Sequence, residues 1–544
     1  MTQATPAPTT PTELSPTRAD PARGIGLRAR IERTPAWVVA AILSTLYLIV
    51  DPPSADLAAQ VYRSDYFGRE GFALWDNAWY AGHHMPGYSL LFPPLGWLLD
   101  PRVVGALCAV ASAYLFERIA DEHFHYAEGR PGVVWFGFAT SLNLITGRLA
   151  FGLGVTLGLA TILAVTHHRQ VLGVALAVAT TLASPVAGVF LALGAASWWL
   201  ATRANRALVL AAAALVPAVF LSVAFPEGGP EPFVASSFWP ALITIAFVLL
   251  ALPLEERELR IGCALYAIAT TAAYLIASPM GGNIARLGAL FGGPLLACLI
   301  WRRRPLILAV LALPLLYWQW NAPVRDWIRA HGDPAIEASY YRPLLSFLDA
   351  NNKGQPFRIE IPFTANHWES AQVAPHYALA RGWERQLDKK YNALFYESEL
   401  NPVKYRRWLD DNAVRYLALS DASLDGSAKH EDELVRSGTL PWLHEVFRSE
   451  HWRVYAVQDH RPLADGARVT KLGSDSIDLD AARPGDVRLR VHFSPYWAVV
   501  QGDGCVSSSG GSWTRLRVRR AGPIRIATRF SLGRVVSRGP RCSS

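Results

Sequence analysis

The chain has 544 residues, of which 51% are hydrophobic and 18% are charged, and its formal net charge is +8. Apolar runs follow one another from Thr34 to about Trp320, and this pattern excludes a wholly soluble protein. Much of the positive charge comes from arginines at the ends of apolar segments and on predicted outer strands, so it does not require a nucleic-acid partner.

Residues 1–33 are predicted to form a disordered cytoplasmic tail, because the first 24 positions are rich in Pro, Thr and Ala. The tail has no apolar segment followed by a cleavage site. We therefore interpret the first hydrophobic helix as an uncleaved signal anchor.

Residues 34–320 are predicted to form a membrane domain of about eleven transmembrane helices, since a bilayer core requires about 20 mainly apolar residues per helix. Several of these apolar segments are short. The boundary between two neighbouring segments could be placed differently near Arg148 and again at Ser184. The segments are 34–50, 102–118, 131–147, 149–166, 170–184, 186–201, 206–224, 236–253, 261–278, 287–300 and 305–320.

Arginines cluster in alternate connections between these segments, and the opposite set, which includes 225–233, is poorer in basic residues. Under the positive-inside rule, the N-terminus of this multi-pass protein lies in the cytoplasm. The large first loop, 51–101, and the region after residue 320 are then outside the cytoplasmic membrane. The arginines are Arg28, Arg30 and Arg33 before the first segment, then Arg118, Arg130, Arg169, Arg203, Arg206, Arg257, Arg260 and Arg302 to Arg304.

The first outer loop combines carboxylates with aromatic side chains, which is typical of a site for a polar substrate near lipid headgroups. Asp56 is the leading candidate for a general base, since the residues after it favour a short interfacial helix. Asp51 is the reserve, although two prolines after it also fit a simple helix end, and Asp76 is the third acid. For each of them a solvated loop carboxylate is the competing interpretation. The candidate substrate-binding residues are Trp75, Trp79, Tyr80, His83, His84 and Tyr88.

Two arginines at outer ends of apolar segments are candidates for binding the phosphate of a lipid-linked donor. Arg148 lies between two such segments, and Arg286 lies with Asn283 at the start of another. An arginine at that depth is costly unless an anion meets it. A bound phosphate and a structural partner such as Asp51 explain the position about equally well.

No cofactor follows from the sequence. The adjacent His83 and His84 point in different directions, and no third ligand is fixed by spacing, so we favour hydrogen bonding to substrate over metal binding. Walker, HExxH and GxSxG sequences are absent, as is a Gly-rich dinucleotide motif after a strand.

Residues 321–460 predict an extracytoplasmic α/β domain, because helical stretches alternate with strands such as FRIEIPF and VRYLALS. Residues 461–544 predict a β-sandwich-like module, since DVRLRVHF and similar runs alternate apolar residues with arginines. The arginine face either meets anionic envelope polymers or is simply solvated. Cys505 and Cys542 predict a disulfide, with two unpaired thiols as the alternative.

The order of an N-in helix, an acidic outer loop, many further helices and an outer C-terminal domain resembles the GT-C superfamily of membrane glycosyltransferases. The stretch WDNAWYAGHHMPGYSLLFPPL is also similar to the first loop of bacterial membrane proteins described as related to 6-pyruvoyl-tetrahydropterin synthase. The superfamily resemblance implies a catalytic carboxylate, at Asp56 with Asp51 in reserve, and an arginine for the lipid phosphate, at Arg286. The loop lacks the DxD-like acidic pair of many members, so a divalent metal is possible but not indicated.

The sequence therefore favours a glycosyltransferase that moves a sugar from a polyprenyl-phosphate donor to an envelope glycolipid or polysaccharide. One alternative is a transporter or flippase of a polar lipid-linked molecule, and another is a non-catalytic envelope-assembly protein. The acidic residues are concentrated in an outer loop, and the apolar segments contain hardly any acidic residues. This distribution favours chemistry at the surface over a transmembrane pathway.

Overall fold

The computed structural model describes residues 34–124, 126–397, 400–510, 512–537 and 542, so the predicted tail lies outside the described residues. Helices dominate the part up to residue 330. In chain order they are α1 (Ala36–Val50), α2 (Ala55–Glu70), α3 (Phe92–Leu99), α4 (Pro101–His123), α5 (Tyr126–Ala139), α6 (Ser141–Ile145), α7 (Leu149–Thr166), α8 (Gln170–Ala183), α9 (Pro185–Thr202), α10 (Asn205–Ala224), α11 (Ala235–Ala251), α12 (Arg257–Leu275), α13 (Ala285–Ile300) and α14 (Pro305–Ala330).

Six helical segments among the described residues are long and apolar enough to cross a membrane: α4, α7, α9, α10, α14 and Gly281–Ile300, which contains α13. Each of the eleven predicted segments contains a helix, but the predicted count of about eleven spans is not confirmed. For the shorter helices the reason is length, because a 14-residue helix such as α8 rises only about 21 Å and a bilayer core is about 30 Å thick. Helix α12 has 19 residues and is still not among the six, so length does not explain every case.

Helix α2 lies across the end of the helical bundle. The axes of α1 and α2 differ in direction by 81° across a four-residue break, and the two helices together are apolar enough for one span. Asp51 ends α1 in a left-handed conformation, with φ of 49°. Because of this bend, the first turn of α2 stays at the C-terminal end of α1, next to the turn that contains Gly147.

The α/β region after residue 330 contains one five-stranded sheet. Two earlier strands, β1 (Trp75–Asp76) and β2 (His83–His84), form a separate hairpin in the first loop. The elements of the α/β region are α15 (Ala338–Asn351), β3 (Arg358–Glu360), α16 (Glu369–Gln372), β4 (Ala378–Leu379), α17 (Arg385–Tyr391), α18 (Pro402–Asp411), β5 (Val414–Ser420), α19 (Lys429–Arg436), β6 (Leu443–Arg448) and β7 (Trp452–Val457). The strand order of the sheet is β4-β3-β5-β7-β6, in which β3 is parallel to β4 and β5 and the remaining pairs are antiparallel.

The C-terminal region is rich in strands, which form two four-stranded antiparallel sheets. The strands are β8 (Ala464–Asp465), β9 (Arg468–Leu472), β10 (Ser476–Ala481), β11 (Gly485–His492), β12 (Trp497–Gln501), β13 (Gly504–Ser509), β14 (Trp513–Val518) and β15 (Gly522–Thr528), and α20 (Leu532–Val536) follows them. The strand orders are β12-β15-β10-β9 and β13-β14-β11-β8. Apolar residues of both sheets share one buried core, so the two sheets pack as a sandwich.

The cysteines and arginines of this sandwich are paired. Cys505 and Cys542 form the predicted disulfide, with their Cα atoms 5.1 Å apart. Several arginines of the predicted basic face contact aspartates, since Arg517 Nε lies 3.1 Å from Asp486 Oδ1. Further such pairs are Arg488 with Asp411, Arg525 with Asp478, and Arg468 with Asp480. This local neutralisation favours the solvated-face interpretation over a binding surface for anionic polymers.

The first outer loop joins the three parts of the molecule. The backbone N–H of Asn77 donates to the carbonyl of Ser474 in the sandwich, and the N–H of Leu379 donates to the carbonyl of Ala78. The Trp75 side chain belongs to the sandwich core, with 1% of its surface exposed. The loop is therefore a folded connector whose geometry is fixed by residues about 300 to 400 positions away.

Candidate functional site

Asp56 and Arg148 face each other at the end of the helical bundle that the sequence predicts to be outside. Arg148 Nε lies 3.6 Å from Asp56 Oδ2, and their side chains are 29% and 37% exposed. Asp56 lies in the first turn of α2, where the helix dipole stabilises a carboxylate. The pair is thus partly open to solvent, with room for another molecule to reach the carboxylate.

A tight turn before α7 brings Arg148 to this position. Gly147 has a φ of +71°, and a Cβ atom there would lie 2.4 Å from the backbone N of Leu57 and 2.5 Å from Ser54 Oγ. Only glycine allows so close an approach of this turn to the start of α2. The sequence Thr146-Gly147-Arg148 before α7 therefore allows the turn that places Arg148 next to Asp56.

Arg286 and Glu231 complete what we call the outer charge cluster, which consists of Asp56, Arg148, Glu231 and Arg286. Arg286 lies within electrostatic range of the other three, and its guanidinium carbon is 5.5 Å from the ring centre of Phe151. The cluster draws its members from four separate segments of the chain. The structure thus brings together three side chains that the sequence analysis had singled out independently.

Glu231 belongs to the loop between α10 and α11, which packs closely on the start of the α13 segment. Its backbone N–H donates to the carbonyl of Ser278, and a Cβ atom on Gly281 would lie 2.0 Å from the Glu231 carbonyl oxygen. Burial raises the pKa of Glu231 to about 7, against the opposing charges of Arg286 and Arg385. The guanidinium groups of Arg148 and Arg286 therefore lie near two acidic side chains, Asp56 and Glu231. Of these two, Glu231 changes its protonation state near neutral pH.

Tyr88 connects this cluster to a buried arginine that the sequence analysis missed. Gln60 Nε2 donates to the Tyr88 hydroxyl at 2.7 Å, and the guanidinium carbon of Arg63 lies 3.8 Å from the centre of the Tyr88 ring. Arg63 also contacts Glu384 of the α/β region. Asp56, Gln60 and Arg63 follow a helical i, i+4, i+7 spacing, and this pattern is the signal that could have identified Arg63.

The other five predicted substrate-binding residues are at most 6% exposed. The Trp79 ring stacks on Tyr62 with centroids 4.2 Å apart, and the Tyr80 hydroxyl accepts a hydrogen bond from the N–H of Glu384 at 2.7 Å. These contacts make the aromatic side chains packing elements of the folded connector. The five residues are Trp75, Trp79, Tyr80, His83 and His84.

The two histidines differ in their surroundings. His84 Nδ1 lies 2.5 Å from Glu227 Oε1 and its Nε2 lies 2.9 Å from Ser494 Oγ, so both ring nitrogens are engaged. His83 is fully enclosed, and burial lowers its pKa to about 3. Among the residues that the structure describes, no group of three or more His, Cys, Asp or Glu side chains is arranged to hold a metal ion.

Two of the three candidate acids lie away from the outer charge cluster. Asp76 is completely buried, where its Oδ2 accepts a hydrogen bond from the Tyr62 hydroxyl and its Oδ1 accepts one from the N–H of Ala78, both at 2.8 Å. Burial raises the pKa of Asp76 to about 6. Asp51 forms an ion pair with Arg102 at the end of α1, and its side chain is 57% exposed.

Asn283 has a local structural role. Its side-chain amide donates to the carbonyl of Pro279 at 3.1 Å, and only 8% of the residue is exposed. This bond holds the turn that leads into α13, and it therefore fixes the position of Arg286 in the first turn of that helix. Asp56, Arg148 and Arg286 are therefore the predicted residues that the structure brings together, and Tyr88 lies within electrostatic range of Asp56 and Arg286.

No protein-family model and no curated protein matches the chain. These two comparisons give no support to the resemblance to proteins related to 6-pyruvoyl-tetrahydropterin synthase. Among solved structures, the chain is similar to the cryo-EM structure of the arabinofuranosyltransferase AftD from Mycobacteria, with a TM-score of 0.46 and 18% identity. The match covers 85% of this chain and 41% of that one, so the chain spans less than half the length of this neighbour.

Proposed function

We propose that this protein is a membrane glycosyltransferase of the GT-C type that acts at the outer face of the cytoplasmic membrane. Its donor would be a polyprenyl-phosphate sugar and its acceptor an envelope glycolipid or polysaccharide. The observation that carries the proposal is the outer charge cluster, in which Asp56 and Arg148 lie 3.6 Å apart with Arg286 within electrostatic range. A partly exposed carboxylate beside two arginines matches a base next to a phosphate site.

In the reaction, an acceptor hydroxyl attacks the anomeric carbon of the donor and its proton passes to the Asp56 carboxylate. The bond between that carbon and the phosphate oxygen breaks, and the phosphate remains on the lipid as the leaving group. Arg286 and Arg148 stabilise the charge that gathers on this phosphate. Arg148 also orients Asp56, since the two side chains are paired before substrate binds.

The assay that tests this function supplies right-side-out membrane vesicles with a panel of radiolabelled polyprenyl-phosphate sugars and an impermeant acceptor glycan. We expect label in the acceptor, which requires both chemistry and an outward-facing site. Movement of intact donor across the membrane without transfer would contradict the proposal and favour a flippase.

Gly147→Ala is expected to reduce transfer by at least about tenfold. A side chain at this positive φ costs about 1–2 kcal/mol, and the Cβ atom collides with backbone at the start of α2, so Arg148 and Asp56 move apart. The matched control is Gly152→Ala in α7, where the nearest neighbouring atom, Asn143 Cβ, is 3.8 Å away. Equal activity of both variants would show that the turn does not position the pair.

Donor affinity is expected to fall as the pH rises through about 7. Below that pH the buried Glu231 is neutral, and above it the carboxylate competes with the donor phosphodiester for Arg286, in a setting that also contains Arg148, Arg385 and Asp56. The decrease should be roughly fivefold, the effect of an interaction of about 1 kcal/mol.

The measurement is equilibrium binding of donor between pH 6 and pH 8, about one unit on either side of this pKa. Glu231→Gln is the control, because a neutral amide removes the titration, and its donor affinity should be nearly independent of pH. The same pH dependence in this variant as in the wild type would assign the effect to another group.

A further inference from the structure

A cavity lies at the opposite end of α2 from Asp56 and the outer charge cluster. It has a volume of about 420 Å³ and opens between the first outer loop, the α/β region and the strand β9 of the sandwich. We call it the distal cleft. Its lining includes Tyr62, Tyr66, Asp76, Phe357, Tyr377 and Lys471.

The floor of the distal cleft is buried and aromatic. The rings of Phe357 and Tyr377 stack with centroids 5.4 Å apart, and Tyr62 and Tyr66 form the wall on the α2 side. Asp76 is completely buried beneath this wall, where its Oδ2 accepts a hydrogen bond from the Tyr62 hydroxyl. Parts of these four rings line the cleft beside hydrogen-bonding groups, and a sugar likewise combines apolar C–H surface with hydroxyls.

The charges that line the cleft balance. Arg69, Glu70 and Lys471 are exposed at the rim, the negative charge of Asp76 lies buried beneath it, and His376 adds a polar ring at the edge. This balance does not favour an anion such as a phosphate or a polyanionic polymer. The chemistry of the lining fits a neutral, polyhydroxylated ligand.

Helix α2 connects the distal cleft directly to the outer charge cluster. Asp56 lies in its first turn and Glu70 ends it, so the two sites are roughly 20 Å apart along the helix at 1.5 Å per residue. A single sugar cannot reach both, but a glycan of several residues can. One helix therefore presents a reaction centre at one end and a sugar-shaped cleft at the other.

We propose that the distal cleft binds a neutral oligosaccharide, namely the part of the acceptor glycan remote from the hydroxyl that reacts at Asp56, and this assignment of the acceptor rests on the proposed function. Binding there keeps a growing chain attached near the membrane while its end is extended. Asp76 acts indirectly in this site, since its Oδ2 accepts a hydrogen bond from the hydroxyl of Tyr62 in the wall of the cleft.

The test is equilibrium binding of a panel of neutral oligosaccharides of increasing length to the purified full-length protein in detergent, without donor. Affinity should increase with length and then level off. Tyr377→Ala, which removes one of the two stacked rings of the floor, should weaken binding at least about tenfold, equivalent to about 1.4 kcal/mol.

Because Tyr377 is buried and its loss could disturb folding, a second variant changes only the rim. His376→Ala combined with Lys471→Ala removes two exposed side chains, at little cost in stability. We expect it to weaken binding at least about threefold, the effect of one modest hydrogen bond. The matched control is Arg468→Ala on the same strand, β9, whose side chain is 64% exposed and pairs with Asp480 outside the cleft.

The outcomes separate this inference from the proposed function. If no oligosaccharide binds, or if both cleft variants bind as tightly as Arg468→Ala, the inference is wrong even when transfer activity is present. If binding depends on the cleft residues but no donor supports transfer, the cleft stands as a glycan site and the proposed enzyme activity fails. Binding that survives in Asp56→Asn but weakens in the cleft variants supports the inference.

Discussion

Asp56→Asn is expected to reduce sugar transfer by roughly 10²- to 10⁴-fold, the usual effect of losing a general base. The amide has nearly the same shape as the carboxylate but cannot take the proton of the acceptor hydroxyl. Donor binding should change little, because the phosphate contacts belong to Arg286 and Arg148. The measurement is kcat for transfer together with donor Kd, and the loss should appear in kcat.

The control for this variant is Asp51→Asn, which changes the other acid at the end of α1. Asp51 is 57% exposed and pairs with Arg102, away from the outer charge cluster. Its substitution should leave transfer within about twofold of wild type, as for most exposed ion pairs. If Asp51→Asn abolished transfer and Asp56→Asn did not, the reserve carboxylate would be the base and the proposed geometry would be wrong.

Arg286→Ala is expected to weaken donor binding by roughly 10- to 150-fold, corresponding to a charged hydrogen bond of about 1.5–3 kcal/mol. Transfer should also fall, since the departing phosphate loses stabilisation in the transition state. Arg286→Lys should recover part of the affinity, because it keeps the charge but not the planar fork of donors. The measurements are donor Kd and kcat/KM.

Arg102→Ala is the matched control for Arg286→Ala. It removes an arginine from the same predicted face of the membrane, one whose partner is Asp51. Donor affinity should remain at the wild-type value in this variant. Equal donor affinity in Arg286→Ala and Arg102→Ala would place the phosphate site elsewhere.

Local patterns in the sequence predicted the parts of this protein that depend on neighbouring residues. Apolar runs identified the helical segments, alternation identified the strands of the sandwich, and a pair of outer cysteines identified the disulfide between Cys505 and Cys542. The number of membrane spans was harder, because helix length decides it and sequence patterns define helix ends poorly. Five of the predicted segments are not among the six helices that meet the criteria for a span, and one of them, α1, meets these criteria only together with α2.

The composition of the candidate site required the fold. Glu231 lies in a loop that the sequence analysis used only for topology, and its place beside Arg286 depends on packing against 278–282. The sequence analysis assigned the aromatic residues of the first loop to substrate binding. The residues that bury them are remote in sequence, so their packing role could not be recognised from the sequence. Tyr80 contacts Glu384 and His84 contacts Ser494, so these side chains are buried by domains that follow about 300 to 400 residues later.

The most direct test of the central claim is a cryo-EM structure of the Asp56→Asn protein in nanodiscs with a polyprenyl-phosphate sugar bound. We expect the phosphate to lie within hydrogen-bonding distance of Arg286 or Arg148, with the anomeric carbon facing residue 56. The alternative that would contradict it is a donor bound with its phosphate away from both arginines, or on the other side of the helical bundle from residue 56.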